Sequence, residues 1–248
     1  MHNTYNETSI VGEYMSNPTL LESGRRINFL KKLQSICGVL PLGIFFCFHM
    51  VANYTVTFSP EGYEALCHFM ATMPYKDLLE IMVIFLPLVI HAFIGLYIVA
   101  TSSCNVGSYG YMRNWRYLFQ RITGVVAFVF LVWHVIVMRL AVSTLPADGS
   151  MYAVLHTLLM DPASLVFFTI GVYCCLYHFV NGIWTFCITW GITLTPRSQQ
   201  ITSWICLALF VVGAFFIGQI IVSLVFPHMI SGFVPETSYM PQAVPGLA

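Results

Sequence analysis

The sequence predicts an all-α integral membrane protein with five transmembrane helices. Of its 248 residues, 58% are hydrophobic and only 8% are charged, whereas about 25% of the residues of a soluble globular domain are charged. The mean hydropathy is +0.80, and five apolar runs provide the roughly 20 residues that a helix needs to cross a bilayer. The formal net charge is zero. The composition therefore indicates contact with membrane lipid and gives no reason to expect a nucleic-acid partner.

Polar connections with turn residues separate the five apolar segments. The first two connections read SPEGYEA and SSCNVGSYGYMRN, and the last two read STLPADGS and TLTPRSQQ. The predicted spans are 34–56, 77–101, 119–142, 163–190 and 201–226. We expect an extension at 1–28, a membrane domain at 29–226 and a tail at 227–248. The polar start contains no apolar run of the kind found in signal peptides, so no cleaved leader is expected.

The basic residues predict the orientation of the bundle. Cytoplasmic loops of membrane proteins carry an excess of Lys and Arg. Only Lys76 and Arg139 lie on one side of the predicted membrane. Eight basic residues lie on the other side: Arg25, Arg26, Lys31, Lys32, Arg113, Arg116, Arg121 and Arg197. We therefore expect the N-terminus in the cytoplasm and the C-terminus outside.

The eight cysteines are not expected to bind metal. Most of them lie within or beside apolar spans, and none shows the CxxC spacing of a zinc or iron–sulfur site. Cysteines in such surroundings behave as small hydrophobic residues in helix packing.

Each of the first four spans contains one histidine. His49 lies in CFHMVAN, His91 in LVIHAFIG, His134 in LVWHVIV and His178 in CCLYHFVNGIW, with spacings of 42, 43 and 44 residues. Because consecutive spans run in opposite directions, His49 and His134 are expected toward the outer face, and His91 and His178 toward the cytoplasmic face. The helical rise places the two pairs roughly 10 Å apart in depth.

Paired histidines at matched depth favour the binding of haem iron. Two imidazoles from facing helices can occupy both axial positions of a b-type haem. Two pairs therefore predict two stacked haems, with His49 and His134 on the outer iron and His91 and His178 on the inner iron. A single intramembrane histidine is more often a packing or proton-relay residue, and the repetition over four spans is what favours haem.

Four glycines on the faces of these histidines support the same interpretation. Small residues let a flat macrocycle approach a helix backbone, although glycine also favours close contact between membrane helices. The four glycines are Gly38, Gly95, Gly124 and Gly182.

Several stretches carry a family resemblance. They are GVLPLGIFFCFHMVANY, LEIMVIFLPLVIHAFIGLYI, YGYMRNWRYLFQRITGVV and HFVNGIWTFCITWGITLTPRSQ. Together with the even histidine spacing, they resemble the cytochrome b membrane subunit of bacterial succinate dehydrogenases, of the five-helix, two-haem type found with menaquinone. The resemblance covers about residues 29–226 and places axial ligands at the same four histidines.

The resemblance implies partners and a reaction. The partners are a flavoprotein with covalent FAD and an iron–sulfur subunit with three clusters, both on the cytoplasmic side of the bacterial cytoplasmic membrane. Electrons from succinate would reach the inner haem, then the outer haem, and then menaquinone. Related fumarate reductases carry a glutamate two residues before the histidine of the fourth span. This chain has Leu176 there, so succinate oxidation is favoured over fumarate reduction.

Charged and polar residues near the span ends are candidates for the quinone and for the haem propionates. For protonation of the quinone the candidates are Glu64, His68 and Glu80, although solvated charges at helix ends explain them equally well. For the inner propionates they are Arg25, Arg26, Arg121, Arg197, Gln34 and Ser35, and for the outer haem Arg139. These arginines can also simply anchor helix ends. For Arg113 and Arg116 we expect such anchoring, or docking of the iron–sulfur subunit.

Two other functions remain open from the residues alone. One is a di-haem cytochrome b that serves another quinone-linked enzyme, such as a hydrogenase, a formate dehydrogenase, a nitrate reductase or a fumarate reductase. The other is a haem-free proton-coupled transporter that uses the histidines as a proton relay.

Overall fold

The computed structural model describes residues 18–103, 106–144 and 149–227. Every regular element in these ranges is helical, and five helical segments are long and apolar enough to cross a membrane. The predicted fold class and number of spans are therefore confirmed. Residues 1–17 of the predicted extension and 228–248 of the predicted tail lie outside the described ranges. The spans, numbered first to fifth, are Leu21–Thr57, Lys76–Thr101, Met112–Ala141, Pro162–Thr189 and Pro196–Val225.

The described residues form nine α-helices. They are α1 Pro18–Val39, α2 Pro41–Tyr54, α3 Pro60–Ala71, α4 Lys76–Leu79, α5 Leu86–Thr101, α6 Met112–Thr144, α7 Met151–Met160, α8 Pro162–Thr189 and α9 Pro196–Val225. The first span comprises α1 and α2, and the second comprises α4, a π-helical segment at Glu80–Phe85, and α5. The third, fourth and fifth spans are α6, α8 and α9.

Polar caps followed by proline set the start of several helices. The side chains of Ser59, Asp161 and Thr195 accept hydrogen bonds from the backbone at the starts of α3, α8 and α9. Each cap is followed by a proline. Proline suits the first helical position because the N–H that it lacks would have no partner within the helix. These helices therefore begin where the sequence provides both signals.

Proline also interrupts the first span. Pro41 has no backbone N–H, and its ring crowds the carbonyl four residues earlier. Helix α1 ends at Val39 and α2 begins at Pro41. The Ile44 N–H donates a 3.0 Å hydrogen bond to the Leu40 carbonyl at the start of α2. The span is therefore long but made of two abutting helices.

Three spans begin well before the residues that the sequence predicted. Helix α1 begins at Pro18, inside the predicted extension, α6 begins at Met112 rather than at 119, and α9 begins at Pro196 rather than at 201. The added residues of each helix include arginines, so hydropathy did not include them in the apolar runs.

Two helices lie in connections that the sequence left without regular structure. Helices α3 and α7 are too short to cross a bilayer. They pack on the ends of the first and fifth spans in one cluster, made of Val56, Tyr63, Tyr152, Leu155, Leu159, Ile220 and Leu224. The end of the bundle that they cover is termed the Glu64 end, and the opposite end is termed the Arg116 end.

The spans pack around the fourth one. It contacts the first, third and fifth spans, while the second span packs mainly against the first. Large apolar side chains remain exposed on all five spans, as expected for surfaces in contact with lipid tails. Examples are Ile44, Phe93, Val129, Val166 and Val211.

Candidate functional site

Two pairs of histidines meet inside the bundle. The ring centroids of His49 and His134 lie 6.1 Å apart with planes inclined at 74°. Those of His91 and His178 lie 5.9 Å apart at 86°. The first pair joins the first and third spans, and the second pair joins the second and fourth. These are the partnerships that the sequence predicted from depth.

The two pairs lie at different depths of the bundle. The backbone at Gly124 lies against the His178 ring and so marks the depth of that pair on the third span. His134 follows ten residues later on the same helix, which corresponds to about 15 Å of helical rise.

Backbone carbonyls hold both rings of the His91–His178 pair. The Nδ1 of His91 donates to the Gln34 carbonyl at 2.8 Å, and the Nδ1 of His178 donates to the Gln120 carbonyl at 3.0 Å. With Nδ1 as the donor, the lone pair of each Nε2 remains available to a metal. Such bonds also fix the orientation of a ligating ring.

The same local pattern occurs twice in the chain. Gln34 and Gly38 lie in QSICG, and Gln120 and Gly124 lie in QRITG. A spacing of four places the two residues of each motif on one helical face. A Cβ at Gly38 would lie 2.5 Å from the His91 Cε1, and a Cβ at Gly124 would lie 2.8 Å from the His178 Cε1. Only glycine fits beside these rings.

Two of the predicted glycines make room for imidazoles. Gly38 and Gly124 lie against the rings of His91 and His178, and their expected place beside a macrocycle stays a prediction. The other two predicted glycines adjoin glutamine side chains. A Cβ at Gly95 would lie 3.1 Å from the Gln34 Nε2, and a Cβ at Gly182 would lie 3.5 Å from the Gln120 Nε2.

The His49–His134 pair has aromatic surroundings. Phe45 stacks on His49 with centroids 5.4 Å apart, and Phe130 stacks on His134 at 5.5 Å. The Nδ1 of His134 is buried and makes no hydrogen bond within the described residues. A buried polar atom without a partner costs about 1–3 kcal/mol. A metal bound between these rings would occupy one nitrogen of His134.

The geometry of both pairs fits axial ligation. Imidazole nitrogens bind metals at about 2 Å, so two nitrogens that share one metal lie about 4 Å apart and their ring centroids lie farther apart. The observed centroid separations of 5.9 and 6.1 Å are compatible with this. Two imidazoles on one iron are a ligand set of b-type haem.

Three of the predicted propionate contacts at the Arg116 end have partners within the chain. Arg121 donates to the carbonyls of Val99 and Ser102, the latter at 2.6 Å. The Ser35 hydroxyl accepts a 3.0 Å hydrogen bond from the Trp190 Nε1. Gln34 provides the carbonyl that holds His91.

The other predicted propionate contacts lie near the ends of the spans. Arg25, Arg26 and Arg197 are exposed. Arg139 forms an ion pair with Glu80 toward the Glu64 end, and its guanidinium lies 5.9 Å from the Phe85 ring centroid.

The three predicted quinone residues have different surroundings. The Oε1 of Glu64 accepts hydrogen bonds from the Ser150 hydroxyl at 2.5 Å and from the Tyr152 N–H at 2.7 Å, so Glu64 stabilises the start of α7. Glu80 pairs with Arg139. His68 is exposed on α3.

Arg116 makes contacts within the chain that the sequence did not predict. Its half-buried side chain reaches from the third span to the fourth and fifth spans. The expected anchoring of the helix end, or docking of a partner, stays a prediction. The Nε donates to the Asn181 Oδ1 and the Nη1 to the Ser203 hydroxyl, both at 2.8 Å. The guanidinium lies 3.9 Å from the Trp184 ring centroid. No pattern in the sequence distinguished this arginine from its neighbours.

A chain of polar groups connects Arg116 to His178. The Asn181 Nδ2 donates to the Gln120 Oε1 at 2.7 Å. The Gln120 Nε2 donates to the His178 carbonyl at 3.0 Å, while the Gln120 carbonyl accepts from the His178 ring. The sequence analysis did not select Gln120, although the repeat of QSICG as QRITG would have identified it.

Comparison with known proteins identifies relatives of the chain. The family described as "Succinate dehydrogenase/Fumarate reductase transmembrane subunit" matches residues 106–217, a range that includes His134 and His178. The "Succinate dehydrogenase cytochrome b558 subunit" of Bacillus subtilis (strain 168) is 42% identical over 189 residues, which cover 76% of this chain and 93% of the relative. No solved structure matches the chain.

Proposed function

The chain belongs to the succinate dehydrogenase/fumarate reductase transmembrane subunit family, and we propose that it anchors a succinate dehydrogenase in the membrane and transfers electrons to quinone through two b haems. The observation that carries this proposal is the presence of two facing histidine pairs, His49–His134 and His91–His178, at two depths of one bundle. A single pair would serve one haem.

The chain contributes ligands, their orientation and an apolar environment. When bound, the haems would supply one-electron transfer with both axial positions of the iron occupied. The carbonyls of Gln34 and Gln120 orient His91 and His178. Phe45 and Phe130 stack on His49 and His134, and such rings exclude water from this pair.

The charges support the orientation expected from the sequence. Arg25, Arg26 and Arg197 lie at the Arg116 end, together with Lys31 and Lys32. An excess of basic residues is typical of the cytoplasmic side. We therefore assign the Arg116 end to the cytoplasm, where an iron–sulfur subunit and a flavoprotein with FAD would dock. His91 and His178 are the pair nearer these partners.

The quinone site is proposed for the Glu64 end, near His49 and His134. Menaquinone takes up two electrons and two protons to become menaquinol, so the site needs a residue that can transfer protons. Glu80 suits this role best, because it lies half-buried at the start of the second span with Arg139 beside it. Glu64 already caps α7, and His68 is exposed.

The relatives support this function over the two alternatives. If the chain were a haem-free transporter, its sequence similarity to a cytochrome b558 subunit would be unexplained. If the chain were instead the cytochrome b of a hydrogenase, a formate dehydrogenase or a nitrate reductase, its similarity to a succinate dehydrogenase subunit would be unexplained. A fumarate reductase shares the family, and Leu176 in place of the glutamate favours succinate oxidation.

Purification of the complex through a tag on this chain tests the proposal. We expect a flavoprotein and an iron–sulfur protein to co-purify, and succinate to reduce a b-type absorption band that a menaquinone analogue reoxidises. The double variant His91→Ala/His134→Ala removes one ligand from each pair and is expected to lose the band. Purified protein without haem, or haem that succinate does not reduce, would refute the proposal.

A further inference from the structure

Arg116 is a half-buried cation next to one histidine pair. We propose that it is a positioning residue for His178 and that its fixed charge stabilises an electron at the His91–His178 site. This inference rests on the proposed function, because it concerns a haem at that pair.

The partners of Arg116 are all uncharged. They are Asn181, Ser203 and the ring of Trp184, and no carboxylate forms an ion pair with Arg116 in the part of the chain that the structure describes. Asn181 is 3% exposed and Trp184 is 7% exposed. A guanidinium stays protonated in proteins, and an aromatic face stabilises it without cancelling its charge. The positive charge therefore persists on a half-buried side chain that lies against buried residues.

The contrast with Arg139 shows why Arg116 is unusual. Arg139 also lies in the third span, but Glu80 neutralises it through an ion pair. The field of Arg139 is thus largely cancelled at a distance. The field of Arg116 is not cancelled by any described partner.

The polar chain places this charge close to His178. Arg116 and Gln120 are four residues apart on one helix, a rise of about 6 Å. Asn181 contacts both of them, through the Arg116 Nε at 2.8 Å and through the Gln120 Oε1 at 2.7 Å. Gln120 in turn accepts from the His178 ring. Arg116 therefore orients Asn181 and Gln120, which orient the ligand.

The charge of Arg116 affects how readily the His91–His178 site would accept an electron. One electron, supplied by the iron–sulfur subunit, would convert ferric iron to ferrous iron and lower the charge at the site by one. A nearby positive charge favours the state with the extra electron. For a unit charge at about 12 Å with an effective dielectric constant of about 20, the ferrous:ferric ratio at a fixed applied potential rises on the order of tenfold.

A redox titration of the purified complex tests this inference, with the absorption of the two haems followed separately. The component that is lost in His178→Ala identifies the haem at the His91–His178 pair. In Arg116→Gln we expect its ferrous:ferric ratio at fixed potential to fall on the order of tenfold, while the other haem changes little. Arg113→Gln is the matched control, because it removes an exposed charge from the same helix.

Two further variants separate charge from structure. Arg116→Lys keeps the charge but loses the fork of hydrogen bonds, so we expect the ratio to stay near the wild-type value while the low-spin haem spectrum shifts. Ser203→Asp keeps Arg116 and places a carboxylate beside it, so we expect the same fall as in Arg116→Gln. This variant also provides the test if Arg116→Gln does not assemble.

The outcomes distinguish this inference from the proposed function. Wild-type protein without haem would refute the proposed function itself. Wild-type protein with two haems, but with equal ratios in Arg116→Gln, Ser203→Asp and the wild type, would refute only the role of Arg116. Equal falls in Arg116→Lys and Arg116→Gln would refute the charge effect.

Discussion

The Nδ1 of His178 donates a 3.0 Å hydrogen bond to the Gln120 carbonyl, and this bond repeats between the fourth and third spans the 2.8 Å bond that joins His91 to Gln34 between the second and first. In both places a glycine four residues after the glutamine adjoins the ring. The first four spans thus form two similar helical pairs, and each pair contributes one ring to the His91–His178 site.

The first prediction concerns haem content. Because two histidine pairs each fit one iron, purified protein is expected to contain about two b haems per polypeptide. A pyridine haemochrome assay against protein concentration measures this directly. A value near one would mean that one pair is a packing contact.

The second prediction concerns the assignment of ligands to haems. His91→Ala and His178→Ala each remove one ligand from the same iron, so both are expected to abolish the same spectral component. His49→Ala and His134→Ala are expected to abolish the other. Low-temperature absorption spectra separate the two components. A common spectral loss in His49→Ala and His91→Ala would contradict the observed pairing.

The third prediction concerns the glycine beside His178. In Gly124→Ala the new Cβ would lie 2.8 Å from the His178 Cε1, so the ring must move away and its hydrogen bond to Gln120 weakens. We expect loss or a clear spectral shift of the haem at the His91–His178 pair, with the other haem retained. Gly218→Ala is the matched control, because its Cβ would lie 3.6 Å from the Tyr173 hydroxyl. Equal effects of the two substitutions would indicate general destabilisation.

The sequence predicted the features that depend on composition and periodicity. Hydropathy identified the five spans, and one histidine in each of the first four spans predicted both partnerships. The sequence did not predict α3 or α7, because helices of 12 and 10 residues are too short to be recognised as spans. The contacts of Gly38 and Gly124 were also missed, because they depend on which helices face each other. The contacts of Arg116 with the fourth and fifth spans depend on the rotation of α6, which a charge count does not provide.

The fourth prediction separates the structural role of Glu64 from a role in proton transfer. Glu64→Ala leaves the Ser150 hydroxyl and the Tyr152 N–H without their acceptor, and we expect a loss of about 1–3 kcal/mol in stability. Glu64→Gln retains an acceptor oxygen, so we expect near-wild-type stability and quinone reduction. Thermal unfolding in detergent and quinone-reduction assays measure the two effects. His68→Ala, on the exposed side of the same helix, is the control.

A loss of quinone reduction in Glu64→Gln with unchanged stability would contradict this prediction. It would show that Glu64 itself transfers protons. In that case Glu80→Gln should have the smaller effect on quinone reduction.

The last prediction concerns the membrane potential. If succinate is oxidised on the cytoplasmic side and quinone is reduced at the Glu64 end, each electron moves from the negative to the positive side. The potential assists this movement by about 2.3 kcal/mol per charge per 100 mV. Leu176 is 3% exposed and packs in an apolar cluster with Val180, Cys206 and Ile217, so this position offers no carboxylate for a compensating proton path.

Succinate:menaquinone turnover in energised vesicles is therefore expected to slow when an uncoupler is added. Reduction of a soluble dye that accepts electrons before they enter this chain is expected to stay constant under the same treatment. Unchanged turnover with menaquinone, under conditions where this step limits the rate, would place quinone reduction at the Arg116 end, because electrons would then not cross the membrane.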